Sequence, residues 1–420
     1  MCLLPQQKMP IVKPQTSSYQ AVLISACLLL VLSFGFRAGF GLFMVPMSEA
    51  RDWGRDIFGF ALAIQNLSWG VCAILAGALA DKYGNLRVLL GGVALYAIGM
   101  LGMSVSSTET QIVNTAGLLV GAGVAGTSFG IVLPSIARAV PEEKRARALG
   151  IGTAAGSFGQ FLVVPVIASV VDLVGWMQAL QYLGLSAFLM ALLCIPLSQF
   201  GGADETDKTD TKASTSLTEV ALKACSIKSY RLLVFGFFVC GFHVAFITVH
   251  MPGYVVDLGF NPQIGAWSIS LIGLCNVFGA YYAGVLSSTH SMRALLTMIY
   301  LGRVVAITVF LAMPVSVLSI MLFSAGMGFL WLATVPPTSG LVALFFGTRY
   351  MSFLYGIVFL SHQLGSFSGV WLGAWLYERY GTYDGIWYAG IFLGIVAALL
   401  HWPIEEKDYS ESLLSTAQTA

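Results

Sequence analysis

Gly77-Ala78-Leu79-Ala80-Asp81-Lys82-Tyr83-Gly84-Asn85-Leu86-Arg87 joins two long apolar blocks, residues 57–80 and 87–106. A block of about 20 apolar residues is long enough to cross the hydrocarbon core of a bilayer as an α-helix. Asp81, Lys82 and Arg87 cannot lie in hydrocarbon beside those blocks without a large cost. The stretch is therefore read as a turn at a membrane surface between two crossing helices. Gly77 permits close helix approach and Gly84 a tight turn. Asp81 can cap a helix start or pair with an arginine.

The same alternation runs along the whole chain. Of its 420 residues, 57% are hydrophobic and 10% charged, where a soluble chain carries about 25% charged. Spans are expected at 20–46, 57–80, 87–106, 112–138, 147–171, 176–198, 231–251, 264–286, 293–313, 316–343, 352–377 and 386–402. The first block, Ala21 to Met47, is too long for a signal-peptide core and is read as a retained span. Backbone amides in lipid must be paired internally, and nothing in the pattern resembles barrel strands. The seven cysteines show no CxxC spacing and read as small apolar residues. The fold expected is an all-α membrane protein of twelve transmembrane helices.

Orientation follows from Lys and Arg. With the N-terminus inside, only Arg51, Arg55 and Arg379 of the 21 fall outside, and Arg37 and Arg303 fall within spans. The remaining 16 are cytoplasmic. Residues 201–229 begin with Asp204, Glu205, Asp207, Lys208, Asp210 and Lys212 among Thr and Ser, the composition of a flexible linker. The expected organisation is a cytoplasmic tail (1–19), a six-helix bundle (20–200), a cytoplasmic linker (201–229), a second six-helix bundle (230–403) and a cytoplasmic tail (404–420). The bundles repeat at an offset of 206 residues. Gly35-Phe36-Arg37 with Pro46 matches Gly241-Phe242-His243 with Pro252, and Gly59, Gly150 and Gly159 match Gly265, Gly356 and Gly365. Such repeats suit a carrier that rocks two halves about a midplane site.

The stretch from Gly77 to Arg87 resembles the signature loop of the major facilitator superfamily. The gating motif carried by that resemblance is Gly77, Asp81, Lys82, Gly84 and Arg87. The second-half copy, Gly284 to Arg293, has Ser288 in place of Asp81. Arg145-Ala146-Arg147-Ala148-Leu149-Gly150, followed by Gly152, Gly156 and Gly159, is similar to the lead-in to span five of the monocarboxylate and oxalate–formate branch, which adds Arg145 and Arg147. The resemblance implies a V-shaped pair of bundles, a central cavity lined by spans one, four, seven and ten, and alternating access. Many carriers of that branch place an arginine in span eight. Here Ile264 to Leu286 holds none, and Asn276 is its central polar residue.

Ionisable groups at membrane depth mark function by default. Arg37 lies inside span one. Arg303 stands ten residues beyond Arg293, ~15 Å deep at the usual helical rise. His243 and His250 share one face of span seven, and His362 is in mid-span eleven. No carboxylate lies deep in a span, since Asp172, Asp257 and Glu378 fall near ends. A cavity so charged favours an anion, because an arginine fork holds a carboxylate. His243, His250 and His362 are the proton-coupling candidates. Gln65, Asn66, Asn276 and Arg303 complete the substrate-binding candidates with Arg37, His243 and His362. Arg303 lies on a supporting span, where a structural role is favoured. Pro336-Pro337 in span ten, and Gly121, Gly123, Gly126 and Gly130 in span four, mark helices expected to bend at equivalent places.

No P-loop, metal-ligand spacing or nucleophile triad is visible, so neither an enzyme, a metal, a cofactor nor an ATP-driven pump is expected. A net charge of +1 implies no nucleic-acid partner. The reading is a monomeric secondary transporter of the cell inner membrane, with both termini cytoplasmic, moving a monocarboxylate-like organic anion by proton symport. The competing readings are a carrier of a larger neutral or aromatic solute, such as a vitamin or a drug for efflux, and a non-transporting membrane receptor.

Overall fold

The structure, a computed structural model, describes residues 16–197, 217–347 and 350–410. Twelve helical passes run through it: α1 (Tyr19–Arg51), α2 (Arg55–Tyr83), α3 (Asn85–Val105), α4 (Glu109–Ala139), α5 (Glu142–Val174), α6 (Trp176–Leu197), α7 (Lys228–Asp257), α8 (Pro262–Ser287), α9 (Met292–Ala312), α10 (Val317–Phe329 and Val335–Phe346), α11 (Met351–Tyr380) and α12 (Asp384–His401). No strand occurs among the described residues. The first six passes and the last six form two bundles. Much of the expected 201–229 linker lies outside the described residues. Leu217–Ser226 within it is helical, because Val220 and Ala224, four apart, bury one face.

The repeat has a packing reason. A Cβ on Gly159 of α5 would strike the Val31 carbonyl of α1, and one on Gly365 of α11 would strike the Phe238 carbonyl of α7. Those two glycines are 206 residues apart, and each lets the equivalent pair of helices cross at backbone distance.

Span ten is not the unbroken 316–343 segment expected. It breaks over Leu330–Thr334 and restarts with Pro336 and Pro337 in the first turn of the new helix. Neither proline has an N–H to donate, and their rings clash with a continuing helix. Adding 206 to Ser128 gives Thr334, and α4 breaks at Ser128, whose ψ of −177° is extended. A π-helical turn, Val113–Leu119, bends α4 further. The expected bends at equivalent places in spans four and ten are present.

The two bundles meet along α2–α11 and α5–α8. Gly59 of α2 packs on Ala374, and Gly70 packs on Gln363. Asn276 of α8 donates to Ser157 Oγ of α5 at 2.8 Å, which is the symmetry mate of the Gly70–Gln363 contact. Continuing the antiparallel register of α2 and α11 sets Gly77 opposite Gly356, yet a Cβ on either would meet nothing within 4 Å. Gly150 of α5 is equally open. The bundles therefore close at the end carrying Arg55 and separate toward the end carrying Asp81.

Candidate functional site

α1 and α2 place a cation at the bundle interface. Arg37 ends the regular part of α1, and its Nη2 donates to Asn66 Oδ1 of α2 at 2.5 Å. Asn66 is held for this, because its Nδ2 donates to Leu62 O at 2.9 Å and so fixes which amide atom faces Arg37. The guanidinium lies over Trp69, one turn further along α2, at 4.7 Å from the ring centroid. Among the described residues no carboxylate pairs with Arg37, and its Nε is buried without a partner. A half-buried cation whose side chain bonds a neutral oxygen and faces a ring, with no acid beside it, is an incomplete site.

Aromatic rings extend this site across both bundles. Phe34 stacks on Phe129 at 4.4 Å and sets its edge on Trp69 at 5.9 Å. Trp69 meets Phe359 of α11 at 5.4 Å, and Phe359 stacks on His362 at 5.8 Å. His362 thus belongs to the Arg37 layer. Next to it, Gln363 presses its Cβ and Cγ onto Gly70, while its Nε2 is buried and unpartnered.

The other predicted site residues are held elsewhere. Gln65 donates to Ala116 O at 2.8 Å, a carbonyl of the π-helical turn in α4. His243, the repeat mate of Arg37, contacts Gly390 O through Nε2 at 2.8 Å, inside the second bundle. His250 contacts Val370 O at 2.9 Å and accepts from the Tyr383 hydroxyl at 3.3 Å. Arg303 is fully buried and donates to Leu330 O (2.9 Å), with a further bond to Trp331 O. It caps the carbonyls freed where α10 breaks, as a cation suits a helix C-terminus. Asn276 serves the same break, accepting from Leu332 N at 2.9 Å.

A gate closes the Arg55 end. Arg55, at the start of α2, makes a two-pronged pair with Asp257 of α7, at 2.6 and 2.7 Å. Its backbone N–H donates to Glu378 of α11 at 3.2 Å, its Nη1 reaches the Tyr383 hydroxyl at 3.3 Å, and the guanidinium covers Tyr377 at 4.1 Å. The symmetry mate of Glu378 is Asp172, and it accepts from Gln263 at the start of α8 at 2.5 Å. Burial pushes the Tyr383 phenol above its ordinary range. An open vestibule of about 410 Å³, lined by Ser48, Glu49, Asp52, Arg55 and Glu378 among others, adjoins this gate. Sequence reading set Arg55, Asp257 and Glu378 aside as end residues. Their common signal was position, since all three fall at helix ends on one side.

The loop motif lies at the opposite, separated end. Gly84 takes φ +85°, a conformation that favours glycine, between α2 and α3. Lys82, Arg87, Arg145 and Arg147 are exposed there. The side chain of Asp81 is outside the described set.

The sequence model of the Major Facilitator Superfamily matches residues 26–369. The MFS-type transporter YcxA of Bacillus subtilis (strain 168) is 22% identical over 380 residues, covering 89% of this chain and 92% of its own. Monocarboxylate transporter 13 of Rattus norvegicus is 25% identical over 399 residues, covering 91% and 89%. Among solved structures, a bacterial homologue of the human lysosomal transporter Spinster, inward-facing and unoccupied, superposes with a TM-score of 0.77 at 13% identity, covering 96% of this chain and 98% of that one. The D-xylose–proton symporter superposes with a TM-score of 0.72 at 16% identity, covering 94% and 99%.

Proposed function

The chain belongs to the Major Facilitator Superfamily, and from that premise we propose that it carries a small, monocarboxylate-like organic anion across the cell inner membrane by proton symport, with both termini cytoplasmic. It is a multi-pass secondary transporter. The observation that carries the anion reading is the unpaired charge of Arg37 at the bundle interface. An arginine held there without an acid is stabilised by an anion that arrives as cargo. The rat protein named as a monocarboxylate transporter, similar over 91% of this chain, agrees with this class. We assign proton exchange beside the cargo to His362, which stacks on Phe359, because His243 and His250 each contact a backbone carbonyl within the second bundle.

One observation favours a second reading. The rings of Phe34, Trp69, Phe129 and Phe359 around Arg37 suit a larger, flatter solute. Uptake of labelled carboxylates and of neutral aromatic compounds into proteoliposomes, with and without a pH gradient, separates the two. Carboxylate uptake driven by the gradient and abolished by Arg37→Ala is expected. Equal uptake by Arg37→Ala refutes charge recognition, and carboxylate uptake indifferent to the gradient refutes symport.

A further inference from the structure

We propose that Gln363 is the second-bundle half of the substrate site: its amide Nε2 and Arg37 hold one carboxylate between them, so that the cargo bridges the two bundles. This deepens the anion reading above and rests on it.

Arg37 Nε and Gln363 Nε2 are both buried donors without a partner, one on each bundle. Both are seated on the same face of α2. Arg37 bonds Asn66 and Gln363 packs on Gly70, and those two positions are one helical turn apart. The Oε1 of Gln363 lies 3.4 Å from Ser366 Oγ and 3.1 Å from His362 Nδ1, and in this arrangement Nε2 faces no acceptor. A buried amide N–H without an acceptor is costly, so native sites rarely retain one unless something binds there.

The repeat supplies a control within the same molecule. Subtracting 206 from Gln363 gives Ser157, and adding it to Gly70 gives Asn276. That pair is satisfied, as Asn276 Nδ2 bonds Ser157 Oγ and Asn276 Oδ1 accepts Leu332 N–H. The equivalent junction on the α2–α11 side has a glycine where Asn276 sits, and its amide is left over. A carboxylate supplies what is missing, with one oxygen for Arg37 and one for Gln363.

The test uses the full chain, purified in detergent, with Kd for pyruvate, lactate, benzoate and their three amides measured by tryptophan fluorescence. Gln363→Met keeps the length that packs on Gly70 and removes the donor. It should weaken the best-bound carboxylate about 10–100-fold while leaving its amide unchanged. Arg37→Gln should do likewise, and the double variant should lose less than the two losses multiplied, because both donors serve one ligand. Should Gln363→Met melt early, Gln363→Glu keeps the shape and should also lose the carboxylate selectively. If either Gln363 variant binds the carboxylate like the parent while Arg37→Gln has lost it, the bridge is overturned and the anion reading stands. An equal loss of carboxylate and amide in the Gln363 variants also overturns the bridge, because it marks a packing role. If the parent binds none of the three carboxylates, or Arg37→Gln binds them unchanged, both fall together.

Discussion

Asp257→Asn should open the Arg55 end without unfolding either bundle. Arg55 contributes from the first bundle, and every partner of its guanidinium comes from the second. The latch therefore exists only while this end is closed, and removing it shifts the conformational equilibrium by no more than its own worth. The pair is two-pronged and short, which places it among the stronger charge-assisted bonds. Its side chains are 13% and 26% exposed, so water and salt weaken it relative to a buried pair. Asparagine keeps one neutral acceptor. The net loss is then about 1.5 kcal/mol, or roughly tenfold in the ratio of open to closed. Arg55→Ala also loses the Tyr383 and Tyr377 contacts and should give about 2–3 kcal/mol, or roughly 30–150-fold. Ser48, buried and lining the adjoining vestibule, is a suitable reporter. Its cysteine variant can be labelled with a maleimide in detergent, with the exposed native Cys225 as reference. Labelling should accelerate about tenfold in Asp257→Asn and return toward the parent rate when Arg55→Asp is combined with Asp257→Arg. An unchanged rate in Asp257→Asn would refute the latch.

Arg303→Ala should lower the melting temperature of the purified protein, because two carbonyls at the α10 break lose their donor at about 1–3 kcal/mol each. The folded fraction should keep parental carboxylate affinity, and a selective loss of that affinity would instead place Arg303 at the cargo. Gly77→Leu and Gly356→Leu should fold normally, since neither position has a neighbour here, yet block transport by obstructing closure of the Asp81 end. Parental transport rates in both would show that α2 and α11 never approach there.

The sequence made the twelve passes legible because apolar length is a local property, and the shared offset made the two bundles legible because equivalent crossings need equivalent glycines. What it left open was which way polar residues face. Gln65 and Asn66 are adjacent, yet one stitches α2 to α4 while the other holds Arg37. Neighbours on a helix point about 100° apart, and only the packing of α1, α4 and α11 around α2 decides which of them meets the cleft. The gate was hidden for a related reason. Arg55, Asp257 and Tyr383 are far apart in sequence and each lies at a helix end, where a charge is unremarkable by itself.

Arg37 and Arg303 show how charge at membrane depth should be sorted. Both are arginines inside spans, with no acid beside either among the described residues. Arg303 nevertheless has peptide carbonyls at a broken helix end, oriented toward it for structural reasons. Arg37 has one amide oxygen and a ring face, both from its own bundle, and that ring, Trp69, meets Phe359 of the other. The repeat sharpens the contrast, because the mate of Arg37 is His243, whose Nε2 meets the Gly390 carbonyl within a single bundle. Positions where the two halves pack alike, such as Gly159 and Gly365, maintain the scaffold. Where they differ, Arg37 against His243 and Gln363 against Ser157, Arg37 Nε and Gln363 Nε2 lack partners, while the Asn276–Ser157 mate of the Gln363 junction is satisfied. A site built at such differences can hold an asymmetric cargo in one orientation while the scaffold around it keeps the symmetry that alternating access requires.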